Sequence, residues 1–349
     1  MYNTEITNIQ RISIHCIGNK FNDERLELSS QPFLPTKEIE KKLKAYFFNS
    51  FKNGELYSFS HEIDRTMNEL NVIATNIFED DNIDSFHLSS INIAKFLFEK
   101  SNHPNIKNGE LYVVLFDTCE ILGEYTQAIG LFKSETKDSF LKVCKDDQNC
   151  KFNVESEQGV NINKLDKGCL IFNTEKDNGY IIAIVDNTNK GEDAKYWIDD
   201  FLHVRPRKDE YYNTHNVLSL CKNFVTKELP QQFDVRKADQ ADLLNRSVQF
   251  FKEKDSFDME EFTNEVFAQS EVIDSFNKYK ENYEQDRDLE IADSFTISES
   301  AVKKQVRAFK SVIKLDKNFH IYVHGNRNLI EQGEDEKGKF YKVYYQEEN

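Results

Sequence analysis

Glycine and proline are scarce in this 349-residue chain, at 12 and 5. That argues against low-complexity linkers and against repeat-rich β architectures. Cysteine is sparse and scattered. Cys16, Cys119, Cys144, Cys150, Cys169 and Cys221 lie far apart and form no CxxC pair. Such spacing disfavours both a zinc ribbon and a disulfide framework, and it points to thiols kept reduced in the cytoplasm. No stretch approaches the roughly 18 uninterrupted apolar residues of a membrane span. The start, MYNTEITNIQRISIH, lacks the charged-then-apolar order of a signal peptide. Net positive charge is missing as well. The balance is −16, so the chain cannot coat nucleic acid through its overall field, and any polyanion contact has to be local.

Catalytic signatures are also missing. There is no P-loop, no GxGxxG and no GxSxG elbow. Cys144 and Cys150 have no matching Cys or His pair. His320 and His324 share a face if their segment is a strand. They then stand about 13 Å apart, too far for one metal. The expectation is a protein without cofactor, without metal and without enzymatic chemistry. A metal-dependent nuclease assembled from scattered acids stays open, because two-metal sites need convergent carboxylates rather than a fixed motif.

The chain does have core material. Hydrophobic residues make up 39% of it, with 28 Phe and 15 Tyr. Its length favours two domains. Ile6–Ile17 reads as a first strand, with Arg25–Leu28 as a short partner. Pro35-Thr36 opens a helix, with Thr36 as its cap, and helical spacing recurs at Ile63–Ile77 and Ile91–Phe98. Leu111–Phe116 reads as a buried strand with Tyr125–Phe132 beside it, and Cys169–Phe172 pairs with Tyr180–Val185. These strands have no βαβ rhythm, so the sheet is expected to be antiparallel. Near residue 200 the pattern turns helical: 209–229, 235–254, 258–268, 271–285 and 298–313. Capping-box spacing occurs at Asp258/Glu261 and Thr296/Glu299. A terminal hairpin is expected, with Phe319–His324 and Phe340–Tyr345 as its arms. The fold class is therefore α+β. An N-terminal domain over 1–200 holds a mainly antiparallel sheet with flanking helices, and a helical domain over 201–349 ends in a β-hairpin.

Charge is unevenly spread. Residues 255–290 carry 12 acids and 3 bases, while residues 301–330 carry 7 bases and 1 acid. Lys303, Arg307, Lys310 and Lys314 fall on one stripe if 298–313 is a single helix, with Lys304 and Lys317 nearby. Val302, Val306, Phe309 and Ile313 then form an apolar stripe for docking. Arg205, Arg207 and Lys208 make a second cluster beside Trp197, Phe201, Tyr211 and Tyr212. These nine cationic residues are the candidate DNA-binding set. Pairing with the acids of 255–290, or with Asp199, Asp200, Asp209 and Glu210, is the competing use.

Five blocks in order resemble the bacterial 37-kilodalton nucleoid-associated protein family of NdpA or YejK type. They are IQRISIH, NGELYVVLFDTCEILGEYTQAIGLFKSE (Asn108–Glu135), VNINKLDKGCLIFN (Val160–Asn173), YWIDDFLHVRPRKDEYYNT (Tyr196–Thr214) and FTISESAVKKQVRAFKSVIKLDKNFHIYVHGN (Phe295–Asn326). The resemblance implies a cytoplasmic protein of the nucleoid, in contact with double-stranded DNA directly or through a partner such as a type II topoisomerase. It carries over no catalytic residue. The oligomeric state is open, a homodimer included.

Overall fold

Seven strands build one sheet in which every neighbouring pair is antiparallel; from edge to edge they are Ile9–Ile17, Gly109–Ile121, Glu124–Ser134, Lys167–Phe172, Ile181–Asp186, Leu56–Phe59 and Val204–Pro206. The computed structural model describes residues 6–51, 54–146, 151–188, 196–306, 309, 312–315, 319–322, 329–345 and 347. They fall into two units, Met1–Arg207 and Lys208–Asn349.

In the first unit, β1 (Ile9–Ile17) is followed by α1 (Lys37–Phe48), β2 (Leu56–Phe59), α2 (Glu69–Glu79) and α3 (Ile83–Lys100). Each helix starts on a polar cap. Thr36, Asn68 and Asn82 accept from backbone amides of the first turn of α1, α2 and α3, which satisfies donors that the helix itself leaves orphaned. Then come β3 (Gly109–Ile121), β4 (Glu124–Ser134), β5 (Lys137–Asp146), β6 (Lys151–Val160), β7 (Lys167–Phe172) and β8 (Ile181–Asp186). A π-helical turn, Tyr196–Leu202, leads into β9 (Val204–Pro206).

The central strands are apolar on both faces because both faces are covered. Along β3, Leu111, Val113 and Leu115 point one way, towards Leu70, Ile73, Phe86, Ile93, Leu97, Trp197 and Phe201. Val114 and Phe116 point the other way, towards Tyr46, Phe47, Phe48 and Phe51 of α1 and its exit. Phe47 stacks on Phe132 of β4, with centroids 4.1 Å apart and planes 7° from parallel. A period of two with helices on each side therefore reads as a continuous hydrophobic run. Arg25–Leu28 contributes one bridge to β1, between Cys16 and Glu27. The strands β5 and β6 pair only with each other, as a separate two-stranded ribbon. That ribbon, β2 and β9 add to the strands expected from the sequence.

In the second unit, α4 (Glu210–Asn223) runs through a π-helical turn into α5 (Leu229–Gln232), followed by α6 (Lys237–Glu253), β10 (Ser256–Asp258), α7 (Met259–Val266) and α8 (Ser270–Arg287). Then β11 (Ser294–Thr296) pairs with β10, and α9 spans Glu299–Val306. The core is rich in phenylalanine: Phe224, Phe250, Phe257, Phe262, Phe267 and Phe276 meet edge to face. Asp258 does cap α7, accepting from the Glu261 amide at 2.9 Å. Thr296 does not cap α9. It lies in β11, and the Ser298 hydroxyl accepts from the Ala301 amide instead.

The tail departs from the expected pairing. β12 (Val312–Leu315) pairs with β13 (Phe319–Tyr322), and β14 (Ile330–Asp335) pairs with β15 (Gly338–Val343). The chain does end in a hairpin, but its arms are β14 and β15. The two segments expected to be its arms belong to different ribbons. Ile313, Leu315 and Ile321 from one ribbon, with Ile330 and Tyr341 from the other, cover Ala238 and Ala241 of α6. Each ribbon gains a buried face that way, which a free hairpin lacks.

Candidate nucleic-acid interface

Helix α9 docks through Ala301 and Val302, both buried. Lys303 and Lys304 are on its exposed side. Lys303 reaches Glu299 one turn back at 2.7 Å, an ion pair with both side chains open to water. Such a pair contributes little. Lys304 places its ammonium 5.6 Å from the centroid of the Tyr211 ring on α4, a cation–π contact that orients the side chain without neutralising it.

The helix is shorter than its periodicity suggests. It ends at Val306, and Val312–Leu315 is a strand. Lys314 therefore lies on β12 opposite His320, on a different element from Lys303. The apolar spacing 302, 306, 309, 313 joins two elements: Val302 and Phe309 pack in the helical core, while Ile313 packs on α6. Arg307, Lys310 and Lys317 lie outside the described residues, as do His324 and the side chain of Lys314.

The second cluster is engaged with acids. Arg207 donates through Nη2 to both oxygens of Glu175 at 3.0 Å and through Nη1 to Ser58 at 3.2 Å, and it is largely buried. Arg205 pairs with Asp199 at 3.1 Å but keeps 63% of its side chain exposed. Lys208, the first residue of the second unit, pairs with Glu290 at 2.9 Å. That hydrogen bond holds the Lys208 ammonium above its usual range and the Glu290 carboxyl below its own. Other acids of 255–290 are met by Lys254, which touches Glu261 and Glu265, and by Lys280, which touches Glu284. Among the described residues, none of those acids pairs with Lys303 or Lys304.

A buried ionic network escaped the sequence reading. Lys133 and Lys167 are cross-strand neighbours on β4 and β7, and both are fully buried. Lys133 donates to the Lys107 carbonyl at 2.7 Å, to Glu135 at 2.9 Å and to the Tyr196 hydroxyl at 3.3 Å. Lys167 donates to both oxygens of Asp186 at 2.9 Å and to Thr188 at 2.7 Å. Burial pulls the Lys133 ammonium below the usual lysine range, and Glu135 opposes that pull. Burial, then Glu135, pushes the Tyr196 phenol well up. Each ammonium has three protons and three acceptors, so the arrangement is satisfied internally and ties the ends of the strands together. The only signal in the sequence was a lysine standing beside each apolar run, in LFKSE and KLDKGCLIF.

Three of the described thiols lie in the core. Cys119, Cys169 and Cys221 are buried thiols, and desolvation pushes Cys119 and Cys221 up to about 12. Among the described residues, no group of three or more His, Cys, Asp or Glu is placed to hold a metal. No helix among them is long and apolar enough to cross a membrane.

The described residues form a two-unit α+β protein in which Lys303 and Lys304 are exposed on a docked helix and Arg205 on an edge strand. Residues 13–340 match the family model described as nucleoid-associated protein YejK, and the chain belongs to that family. No curated protein matches it.

Proposed function

We propose that this protein is a DNA-binding component of the nucleoid that works in the cytoplasm without catalysing a reaction. The observation that carries the reading is family membership over 13–340. The geometry supports a local mode of contact. Lys303 and Lys304 are exposed on a helix held from its other side, and Arg205 extends from the sheet edge. Contacts of this kind go to phosphates, so they position the protein with little sequence preference. Arg307, Lys310, Lys314, Lys317, Arg207 and Lys208 belong to the proposed set by sequence position. Of these, Arg207 has to leave Glu175 to take part.

Duplex binding followed by fluorescence anisotropy across a salt series tests this. Affinity is expected to fall steeply with salt. Changing Lys303 and Lys304 together to Glu is expected to lower the log–log slope by about 1.8 and to weaken binding at every sequence. Absence of binding at low salt, or an unchanged slope in the variant, overturns the reading.

A second reading is favoured by the pairing just described, in which Arg207, Lys208 and Lys303 each face an acid. Here the acidic surface engages a DNA enzyme such as a type II topoisomerase, and DNA contact is indirect. Capture of that enzyme by the full chain after nuclease treatment, with no duplex affinity of its own, selects this reading over the first.

A further inference from the structure

The ribbon of β5 and β6 is amphipathic, and its apolar face is bare. The register sets Leu141 opposite Ser156, Val143 opposite Val154 and Lys145 opposite Phe152, all on one face. Leu141, Val143, Phe152 and Val154 are between 64% and 76% exposed. Charged residues gather on the other face, where Lys142 pairs with Glu157 and the Cys144 thiol reaches Glu155. The base of the ribbon is anchored. Lys137 pairs with Glu110, Thr136 donates twice to Asp166, and Asp138 accepts from Asn161 and Lys164. A two-stranded hairpin is marginal in water unless its apolar face is covered, and a contiguous apolar stripe of this kind marks an interaction surface.

We propose that the occupant of this stripe is the same stripe of a second copy of the chain, with the two ribbons stacked face to face and antiparallel about a two-fold axis. Three observations favour it. The first is shape. Read from tip to base, the face runs Lys145/Phe152, Val143/Val154, Leu141/Ser156, Ser139/Gln158. Reversed on itself, it lays the Phe152 step of one copy over the small polar Ser139/Gln158 step of the other and Val143/Val154 over Leu141/Ser156, each pairing occurring twice, as an isologous interface requires. The second is charge. Residues 137–160 carry four bases and five acids, a net of −1 in a chain of −16. A polyanion finds no attraction there, whereas two acidic copies meet least repulsion at that point. Antiparallel stacking sets the two ribbon bases about 33 Å apart, several times the roughly 8 Å screening length at physiological salt. The third is area. Two ribbons of that length packed face to face bury roughly 1,000 Å², the lower bound for a specific interface.

Sedimentation equilibrium on the full chain tests the proposal. At about 100 μM, where a micromolar interface is nearly full, the wild type is expected at twice the 41.0 kDa chain mass. The cross-strand pair changed together, Val143→Glu with Val154→Glu, is expected at the single-chain mass with an unchanged circular dichroism spectrum, since both side chains face water. Leu141→Gln, a milder change at the most exposed position of the stripe, is expected to weaken the dimer about tenfold or more. A single-chain mass for the wild type overturns the proposal. So does a double mass that survives both variants, which places the interface elsewhere. A monomeric wild type whose duplex affinity is lost in the double variant also overturns it, and assigns the stripe to nucleic acid.

Discussion

His15 shows how a residue on β1 can be committed by surroundings that its own segment does not reveal. Its Nδ1 accepts from the Ser29 amide at 3.2 Å, so its Nε2 carries the proton donated to Ser90 at 3.0 Å. His87, with a ring centroid 5.9 Å away, bonds Ser13 at 2.9 Å and the Ser29 carbonyl at 3.1 Å. Burial, with His87 adding to it, lowers His15 from 6.5 to about 4. Above pH 6.5 the ring is neutral in both folded and unfolded chains and contributes no pH slope. Below 6.5 the unfolded chain takes up a proton that the folded one refuses until about pH 4. Stability is therefore expected to fall through that window by about 1.4 kcal/mol per pH unit. Denaturant midpoints from pH 7 to 4 check this, and His15→Gln should remove that component of the slope. The buried ion pairs give a second expectation. Asp186→Ala leaves the Lys167 ammonium buried without its carboxylate and should cost about 3–5 kcal/mol, whereas Lys167→Met with Asp186→Leu should recover most of that loss. Chemical denaturation of the wild type and the two variants decides it.

At the scale of elements, turns and pairings matter most. The link from β7 to β8 passes through Gly179, whose φ is +83°. A Cβ there would lie 2.7 Å from the Phe59 carbonyl oxygen. Gly179→Ala is expected to cost about 1–3 kcal/mol, read from the thermal midpoint, because it combines a left-handed backbone with a close approach. The Asn-Gly turn at that place was legible in the sequence, as were α1 with its Thr36 cap, the apolar run of β3 and the pairing of β7 with β8. Each is a local signal: a cap, a turn residue, a run of one period. The extent of α9 was not legible. Val302, Val306, Phe309 and Ile313 satisfy a helical period in sequence, but Ile313 is buried against Ala241 while Val302 is buried in the helical core. Periodicity cannot tell one docked face from two. The terminal pairing failed for the same reason. Several short strands with similar residues can pair in more than one register, and packing on α6 selects among them.

For the whole molecule, charge is the governing quantity. Outside residues 301–330 the chain carries −22, while that segment carries +6. The two proposed associations should then respond to salt in opposite directions. DNA contact releases counterions and weakens as salt rises. Ribbon-mediated dimerisation joins two acidic copies and should strengthen between about 0.01 M and 0.15 M, as the screening length falls from about 30 Å to about 8 Å. Parallel anisotropy and sedimentation series over that range check the pair of trends. A common direction would mean that both readings share one surface.

The sequence by itself determined the α+β class, the antiparallel sheet and the uneven charge, because each follows from composition or from a period of a few residues. Only the tertiary structure decided which charges are open and which are used internally. Arg207 and Lys303 look alike along the chain, yet one is clamped by Glu175 and Ser58 while the other faces water. Lys133 and Lys167 look like surface lysines, yet they lie buried between strands. The difference is long-range. Arg207 meets Glu175 from 32 residues away and Lys167 meets Asp186 from 19, and only closing the sheet brings them within hydrogen-bonding distance.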